Sequence, residues 1–296
     1  MIVVIGSINL DLIANVDRLP EPGETIAGSA FSTSPGGKGA NQALAAARAG
    51  APVALVGVAG NDSFRDQALA LLEQSDADLS HVAEVEDTTG IAIIMVEKSG
   101  ENVIAVVPGA NAHLTSAMVD AAPITNGDIV LLQHEIPQDL VAHAIDICRN
   151  QGAVSILNTA PYRAESAGLL GAVDYVIANE TEFDLYAAQL GLSGDTREAR
   201  IEDYAERFDN TLIVTLGAAG VVAISGDVQI ELPAPKIEPI DTTGAGDTFC
   251  GYFAASLATG SPLDDALARA VRAGSLTCLQ PGAQPAIPVA SQVDAP

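Results

Sequence analysis

The chain has 296 residues, 48% of them hydrophobic, which suffices for a sizeable core without disulfides or a structural metal and excludes whole-chain disorder. Thirteen basic residues stand against 38 acidic ones, a net charge of -25, and the lysines are Lys38, Lys98 and Lys236 alone. No cationic face for nucleic acid or anionic lipid is expected from that balance, and any polyanionic ligand must be met mainly by backbone N–H groups, helix N-termini and a metal.

In chain order, residues 1–5 form a short apolar run with no basic segment before it, and it turns polar at Ser7 and Asn9. It reads as a buried strand and not as a secretory signal. Residues 12–31 have hairpin character, turning at Pro20-Glu21-Pro22-Gly23. A helix is predicted over 39–49, a strand over 53–58 and a helix over 63–74. Residues 90–107 form a second hairpin with its turn at Lys98-Ser99-Gly100-Glu101. Next come a helix (116–122), a strand (128–132), a helix (138–150) and strands at 153–157 and 174–177. Helices at 180–190 and 196–208, a strand at 211–216 and helices at 245–258 and 263–276 complete the pattern. Residues 290–296 read as a poorly ordered tail.

Apolar strands alternating with helices predict an α/β fold, a doubly wound and mostly parallel sheet flanked by helices. We expect one domain over 1–296 carrying a small β-sheet lid from 12–31 and 90–107. Within the second hairpin Ile91, Ile93 and Met95 alternate with Ala92, Ile94 and Val96, so both faces are apolar and both need cover. Substrate below and a partner subunit above would supply it; the plainer alternative is that these strands extend the main sheet. The longest aliphatic runs are too short to span a bilayer, and Cys148, Cys250 and Cys278 fit reduced core thiols, so a soluble cytoplasmic protein is expected. The four histidines lack metal-ligand spacing.

Ligands of such sheets bind beyond the carboxyl ends of the strands. Polar residues gather there: Asn9 and Asp11, Asn61-Asp62, Gln133-His134-Glu135, Asn158, Asn179 and Gly217. The segment Asp241-Thr242-Thr243-Gly244-Ala245-Gly246-Asp247 leads into a helix. Its N–H groups at Gly244, Ala245, Gly246 and Asp247 could form an anion hole, and the Asp247 carboxylate could take a proton from a hydroxyl. An acidic residue in a first helical turn is also favourable on macrodipole grounds alone. Asn179 and Glu182 are spaced as a capping box or, alternatively, as holders of a hydrated magnesium ion. Gly36-Gly37-Lys38-Gly39-Ala40-Asn41 is not a Walker A loop, since no Ser or Thr follows the lysine. It reads as a helix start, or as a close-approach surface on which Lys38 and Asn41 donate to hydroxyls.

Together these segments resemble the ribokinase family of carbohydrate kinases over nearly the whole chain and in the family's order. The resemblance rests on GSINLD (6–11), PGET (22–25), GGKGANQA (36–43), GENVI (100–104), NETE (179–182), TLGAAGV (215–221), DTTGAGDTF (241–249) and GAQP (282–285). It implies ATP-dependent phosphorylation of a sugar's primary hydroxyl. Asp247 would be the base, with Gly244, Ala245 and Gly246 as the anion hole. Asn9, Asp11, Gly37, Lys38, Asn41 and Glu135 would bind the sugar, while Asn179, Thr215, Gly217 and Gly220 would bind the nucleotide. Glu182 would hold Mg²⁺ through water, and Asp241, Thr243 and Gly282 an activating K⁺. Ala286 stands where the family usually has serine, which removes one oxygen from the monovalent site. GGKGANQA favours the 5-hydroxyl of D-ribose as acceptor, giving ribose 5-phosphate, over deoxyribose, a ketose or a nucleoside. A non-catalytic sensor on this fold is disfavoured by the retained Asp247, Gly244 and Gly246. A homodimer formed through the lid is the implied assembly.

Overall fold

Strand β1 (Ile2–Ile5) is buried throughout, its side chains alternating between two apolar layers. The structure, a computed structural model, describes residues 1–99 and 101–295, so Gly100 in the second hairpin turn and Pro296 at the tail lie outside the described residues. After β1 the chain leaves for β2 (Asn9–Val16) and β3 (Gly28–Gly36), then returns through α1 (Lys38–Arg48), β4 (Val53–Gly60), α2 (Ser63–Glu73) and β5 (Val82–Val85). A second excursion makes β6 (Gly90–Glu97) and β7 (Asn102–Val107). Then follow α3 (Ser116–Asp120), β8 (Ile129–Leu132), α4 (Gln138–Gln151), β9 (Val154–Asn158), β10 (Tyr175–Asn179), α5 (Glu180–Leu190), α6 (Arg197–Arg207) and β11 (Thr211–Thr215). An edge hairpin, β12 (Val221–Ser225) and β13 (Val228–Leu232), precedes α7 (Ala245–Ala258), α8 (Leu263–Thr277) and α9 (Ala290–Val293).

The main sheet has nine strands in the order β13-β12-β11-β10-β9-β8-β1-β4-β5, parallel except for β12 and β13. Ile2 and Val4 pack with α1, α7 and α8, whereas Val3 and Ile5 pack with α4, α5 and α6. Each such branched side chain, removed wholly from water, contributes about 1.5–3 kcal/mol, so strands apolar on both faces are stable only between two helical layers. The strand order reverses direction at β1, with β4 on one side and β8 on the other. Their carboxyl ends flank the crevice where an open α/β sheet takes its ligand.

The two excursions form one separate sheet, ordered β3-β2-β6-β7, in which the hairpins are joined by parallel pairing of β2 with β6. They do not extend the main sheet. The first segment of this sheet is wider than predicted: Asn9 and Asp11 are in β2, and β3 runs on to Gly36. The predicted alternation holds, since Ala92 and Ile94 are buried while Ile93 is 44% exposed.

One expectation fails. The tail is not disordered over its described part: α9 lies there, Val293 is buried, and Arg269 pairs with Asp294 at 2.8 Å. Asp62, one of the polar residues after the strands, is the N-cap of α2, accepting from the N–H groups of Phe64 and Arg65 and from Thr89. The sequence reading also omitted β5, β12 and β13. Among the described residues no helix is long and apolar enough to cross a membrane. The three cysteines are buried and unbridged.

Candidate active site

Helix α7 starts abruptly because Gly244, its N-cap, has φ 77°, a left-handed conformation costly for other residues. A Cβ there would also meet Ala283 at 2.9 Å. The turn presents the first N–H groups of the helix to a cleft of about 220 Å³ lined by Lys38, Asn158, Asn179, Glu182, Thr215, Thr242, Gly244, Gly246 and Asp247, among others. Ala245 N–H makes a long turn bond to the Thr242 carbonyl, 3.3 Å. Among the described residues, the N–H groups of Gly244, Gly246 and Asp247 have no protein acceptor. This is a donor cluster at the positive end of a 14-residue helix.

Asp247 is 7% exposed and reaches the same cleft. Its Oδ2 accepts from Asn41 Nδ2 at 2.8 Å, and its Oδ1 from Gln42 Nε2 at 3.1 Å. Burial pushes its pKa up, opposed by Lys38, Asn41 and Gln42. A carboxylate so placed can accept a proton near neutral pH. Asn41 thus gives one donor to Asp247 and keeps a side-chain oxygen unpartnered among the described residues.

Around Asp247 lie the other residues from the strand ends. The Asp11 carboxylate packs against Gly36 and has no protein donor among the described residues. Burial first, then the charges of Glu135 and Asp247, drive its pKa to about 7, with Lys38 opposing. Glu135 follows β8, and its Oε2 accepts from Ser7 Oγ at 2.6 Å and from Lys38 N–H at 3.0 Å. Gly37 is the N-cap of α1. The Lys38 ammonium is disfavoured by burial, but Asp247, Glu135 and Glu182 outweigh that and raise its pKa. Asn9, 3% exposed, begins β2 beside them.

On the far side, Asn179 and Glu182 make the capping box. Asn179 Oδ1 accepts from Glu182 N–H at 2.8 Å, and Glu182 Oε2 accepts from Asn179 N–H and from Thr159 Oγ1. The capping box leaves Glu182 Oε1 without a protein partner among the described residues, and Glu182 lines the cleft. Thr215 closes β11 at the cleft wall. Gly217 and Gly220 lie in the following tight turn, outside this lining, and a Cβ on Gly220 would strike the Leu232 carbonyl at 2.0 Å. Asp241, Thr243 and Gly282 also come together: Asp241 Oδ1 accepts from Thr243 N–H and Oγ1, and Oδ2 from Gly282 N–H. Burial opposes its charge, but these bonds prevail and hold its pKa down. Ala286 is a buried methyl close by in the chain and supplies no side-chain oxygen. Among the described residues no group of three or more His, Cys, Asp or Glu side chains could cage a metal.

The sequence profile of the pfkB family carbohydrate kinases matches residues 1–290. The chain belongs to that family. The ribokinase of Bacillus subtilis (strain 168) is 37% identical over 99% of this chain and 98% of its own length. Among solved structures, ribokinase from Thermotoga maritima matches with a TM-score of 0.91 at 31% identity, covering 99% of this chain and 98% of the other. Arabidopsis thaliana ribokinase complexed with ribose and ATP matches with a TM-score of 0.86 at 32% identity, covering 99% and 96%.

In this pfkB kinase several site-shaping residues escaped the sequence reading. Gln42 lies in the glycine-rich segment but was not singled out. Its Nε2 also reaches Asn158 Oδ1, and its Oε1 accepts from Gln133 Nε2 at 2.6 Å. Strand-end polarity marked Gln133 and Asn158, but nothing in the sequence tied them to Asp247. His134 is fully buried with neither ring nitrogen hydrogen-bonded, and burial lowers its pKa to about 4. A second, open groove of about 620 Å³ at the amino ends of β9, β10 and β11 contains Arg149 and Arg207, but both are engaged, by Asp146 and Asp203 respectively and by backbone carbonyls.

Proposed function

We propose that this protein is an ATP-dependent sugar kinase that transfers the γ-phosphoryl group to the 5-hydroxyl of D-ribose, giving ribose 5-phosphate. The single observation that carries this reading is the Asp247 carboxylate standing beside unpaired helix N–H groups in one cleft. Membership of a carbohydrate kinase family and the ribokinase relatives support the substrate class. Ribose hydroxyls donate to Asp11 and Glu135, and Asn9, Gly37, Lys38 and Asn41 complete the sugar site. Asp247 takes the proton of the attacking hydroxyl as the phosphoryl group leaves ADP, while N–H groups of Gly244, Ala245 and Gly246 and the Lys38 ammonium gather the charge on the migrating group. Ala245 must release its weak bond to Thr242 to take part. The nucleotide lies toward Asn179, Thr215, Gly217 and Gly220.

Magnesium bound with the triphosphate would supply positive charge against the phosphate groups during transfer. The single free carboxylate oxygen of Glu182 fits an ion held chiefly by water and phosphate, because Mg²⁺ keeps several waters and needs no protein cage. Asp241, Thr243 and Gly282 form the monovalent cation site, weakened by the methyl of Ala286. The protein works in the cytoplasm as a single domain with a two-segment lid. It forms a homodimer through the outer lid face, where Phe31, Ile93 and Val103 are 69%, 44% and 49% exposed.

The test is ADP release with ribose, deoxyribose, fructose and adenosine, each in potassium and in sodium, for the wild type and Asp247→Asn. Ribose should be preferred, because a site that hydrogen-bonds a hydroxyl strongly rejects the analogue lacking it. Asp247→Asn should lower kcat by about two to four orders of magnitude and leave sugar binding intact. Preference for a ketose or nucleoside overturns the ribose assignment, and near-normal turnover by the variant overturns the assigned base.

A further inference from the structure

Asn111 lies outside every motif that marked the site. It sits in the 3₁₀ turn Gly109–His113 just after β7 and is 2% exposed. Its side chain makes three hydrogen bonds across 102 and 103 residues of sequence. Oδ1 accepts from Ile8 N–H at 2.8 Å, and Nδ2 donates to the Ile8 carbonyl at 3.1 Å. These two bonds occupy both backbone polar groups of the residue at which the chain leaves the main sheet for the lid. The third runs from Nδ2 to Asn9 Oδ1 at 2.8 Å.

That third bond fixes a polarity. A primary amide presents either an acceptor or two donors, and the two orientations have the same shape. Ile8 dictates which end of Asn111 is the donor, since its N–H requires an acceptor and its carbonyl a donor. Asn111 in turn holds the oxygen of Asn9, so the Asn9 nitrogen is the end left for a ligand. Among the described residues Asn9 Nδ2 donates to no protein group. The fit is tight as well: Gly90, at the root of β6, has no room for a Cβ, which would lie 2.2 Å from both Asn111 Nδ2 and Asn9 Oδ1. The roots of β2 and β6 and the exit of β7 therefore meet at one side chain.

We infer that Asn111 is a positioning and specificity-determining residue for the acceptor sugar: it locks the Asn9 amide with its oxygen held and its N–H donors left free, so that Asn9 reads a lone pair on a sugar hydroxyl. The inference rests on the reading of this cleft as a sugar site. A merely structural asparagine would affect folding and all kinetic constants together; one that acts through Asn9 affects the sugar.

The experiment is a double-mutant cycle of Asn9→Ala and Asn111→Ala, with KM measured separately for sugar and ATP. Asn111→Ala should raise the sugar KM about tenfold, the effect of losing one well-placed hydrogen bond. The KM for ATP should change by less than about twofold. In the double variant the sugar KM should be no worse than in Asn9→Ala alone, since residues acting in series are not additive. Asn111→Asp keeps an acceptor for Ile8 N–H and removes the donor to Asn9; it should reproduce the sugar effect and serves if the alanine variant does not fold. Additive effects in the cycle, an equal rise in the KM for ATP, or an Asn111→Asp enzyme with wild-type sugar KM overturns the inference. Wild-type turnover separates the two proposals. If the wild type prefers another sugar, the ribose assignment fails and the cycle is run on that sugar. If it phosphorylates no sugar, the reading of the cleft falls, and the inference with it.

Discussion

Gln42 Nε2 donates to Asp247 Oδ1 at 3.1 Å from a side chain with no exposure to solvent. Its own oxygen is held by Gln133 at 2.6 Å. Asn158, whose Nδ2 is committed to the Ile177 carbonyl, offers Gln42 Nε2 a second acceptor. The amide therefore cannot turn over, and Asp247 always meets a donor on that side. Donors favour the ionised carboxylate, so Gln42→Leu should raise the pKa of Asp247 beyond the increase that burial already causes. The acid limb of kcat should move to higher pH, and kcat at neutral pH should fall about tenfold. Lys38, Glu135, Asp11 and Cys250 remain as charged or titratable neighbours in the variant. A kcat–pH profile superimposable on that of the wild type would show that Gln42 does not tune Asp247.

Asp11 makes a distinct pH signature. With its pKa near 7 in the unliganded protein, the carboxylate proposed to accept sugar hydroxyls is ionised above that pH and protonated below it. Sugar KM should therefore rise as pH falls from about 8 to 6, and thermal stabilisation by ribose should shrink over the same interval. Asp11→Asn should show a high KM at every pH and lose this dependence. Measuring KM across that range in both proteins decides the matter, and a flat wild-type profile would count against the assigned role.

The outer lid face tests assembly. Cross-strand register aligns Phe31, Ala14, Met95 and Val103 in one row and Leu12, Ile93 and Ala105 in the next. A contiguous apolar sheet face of this kind is uncommon on a monomer. Ile93→Asp combined with Val103→Asp should convert a dimer to a monomer in sedimentation equilibrium, because the new carboxylates would be desolvated without partners. A monomeric wild type at micromolar concentration would remove the basis for the proposal.

His134 should be a stability liability. Its two ring nitrogens are buried without hydrogen bonds, so His134→Leu should stabilise the protein by about 1–3 kcal/mol in urea unfolding. The folded-state pKa, near 4, lies below the ordinary value of 6.5. The unfolded chain therefore binds the extra proton first, and the wild type loses stability as pH falls from about 6.5 to 4, by about 3 kcal/mol at most. The leucine variant should lack that component. Equal pH slopes for the two proteins would contradict the buried neutral imidazole.

Legibility followed the physics of each element. Helix α5 could be bounded from sequence because Asn179 and Glu182 announce its start and Gly191 its end. Helix α7 was equally plain after Gly244. Strands β1, β4 and β8 showed as apolar runs because both their faces are covered. The edge strands β5 and β13 carry Glu84, Gln229 and Glu231 and are paired on one side only, so they lacked that signal. Asp62 and Asp11 are the same residue type near strand ends, yet one caps a helix and the other lies buried among the charges of Glu135, Asp247 and Lys38; only the neighbouring N–H groups distinguish them. What Gln42, Gln133 and Asn111 do was illegible for another reason. Their roles are contacts across 205, 91 and 102 residues respectively, and no local pattern encodes such a meeting.

The parallel seam between β2 and β6 also bears on how such a cover can be exchanged. Each hairpin carries half of the seam's backbone donors and acceptors, eight residues from each strand in fixed register from Asn9 opposite Gly90 to Val16 opposite Glu97. Transplanting one hairpin from a homologue into this chain would leave a foreign edge against a native one, and a one-residue slip would turn Asp11 out of its buried face and an aliphatic neighbour into it. Engineers who wish to retune this enzyme by recombination must move two distant stretches of gene together, along with the asparagine at which they join.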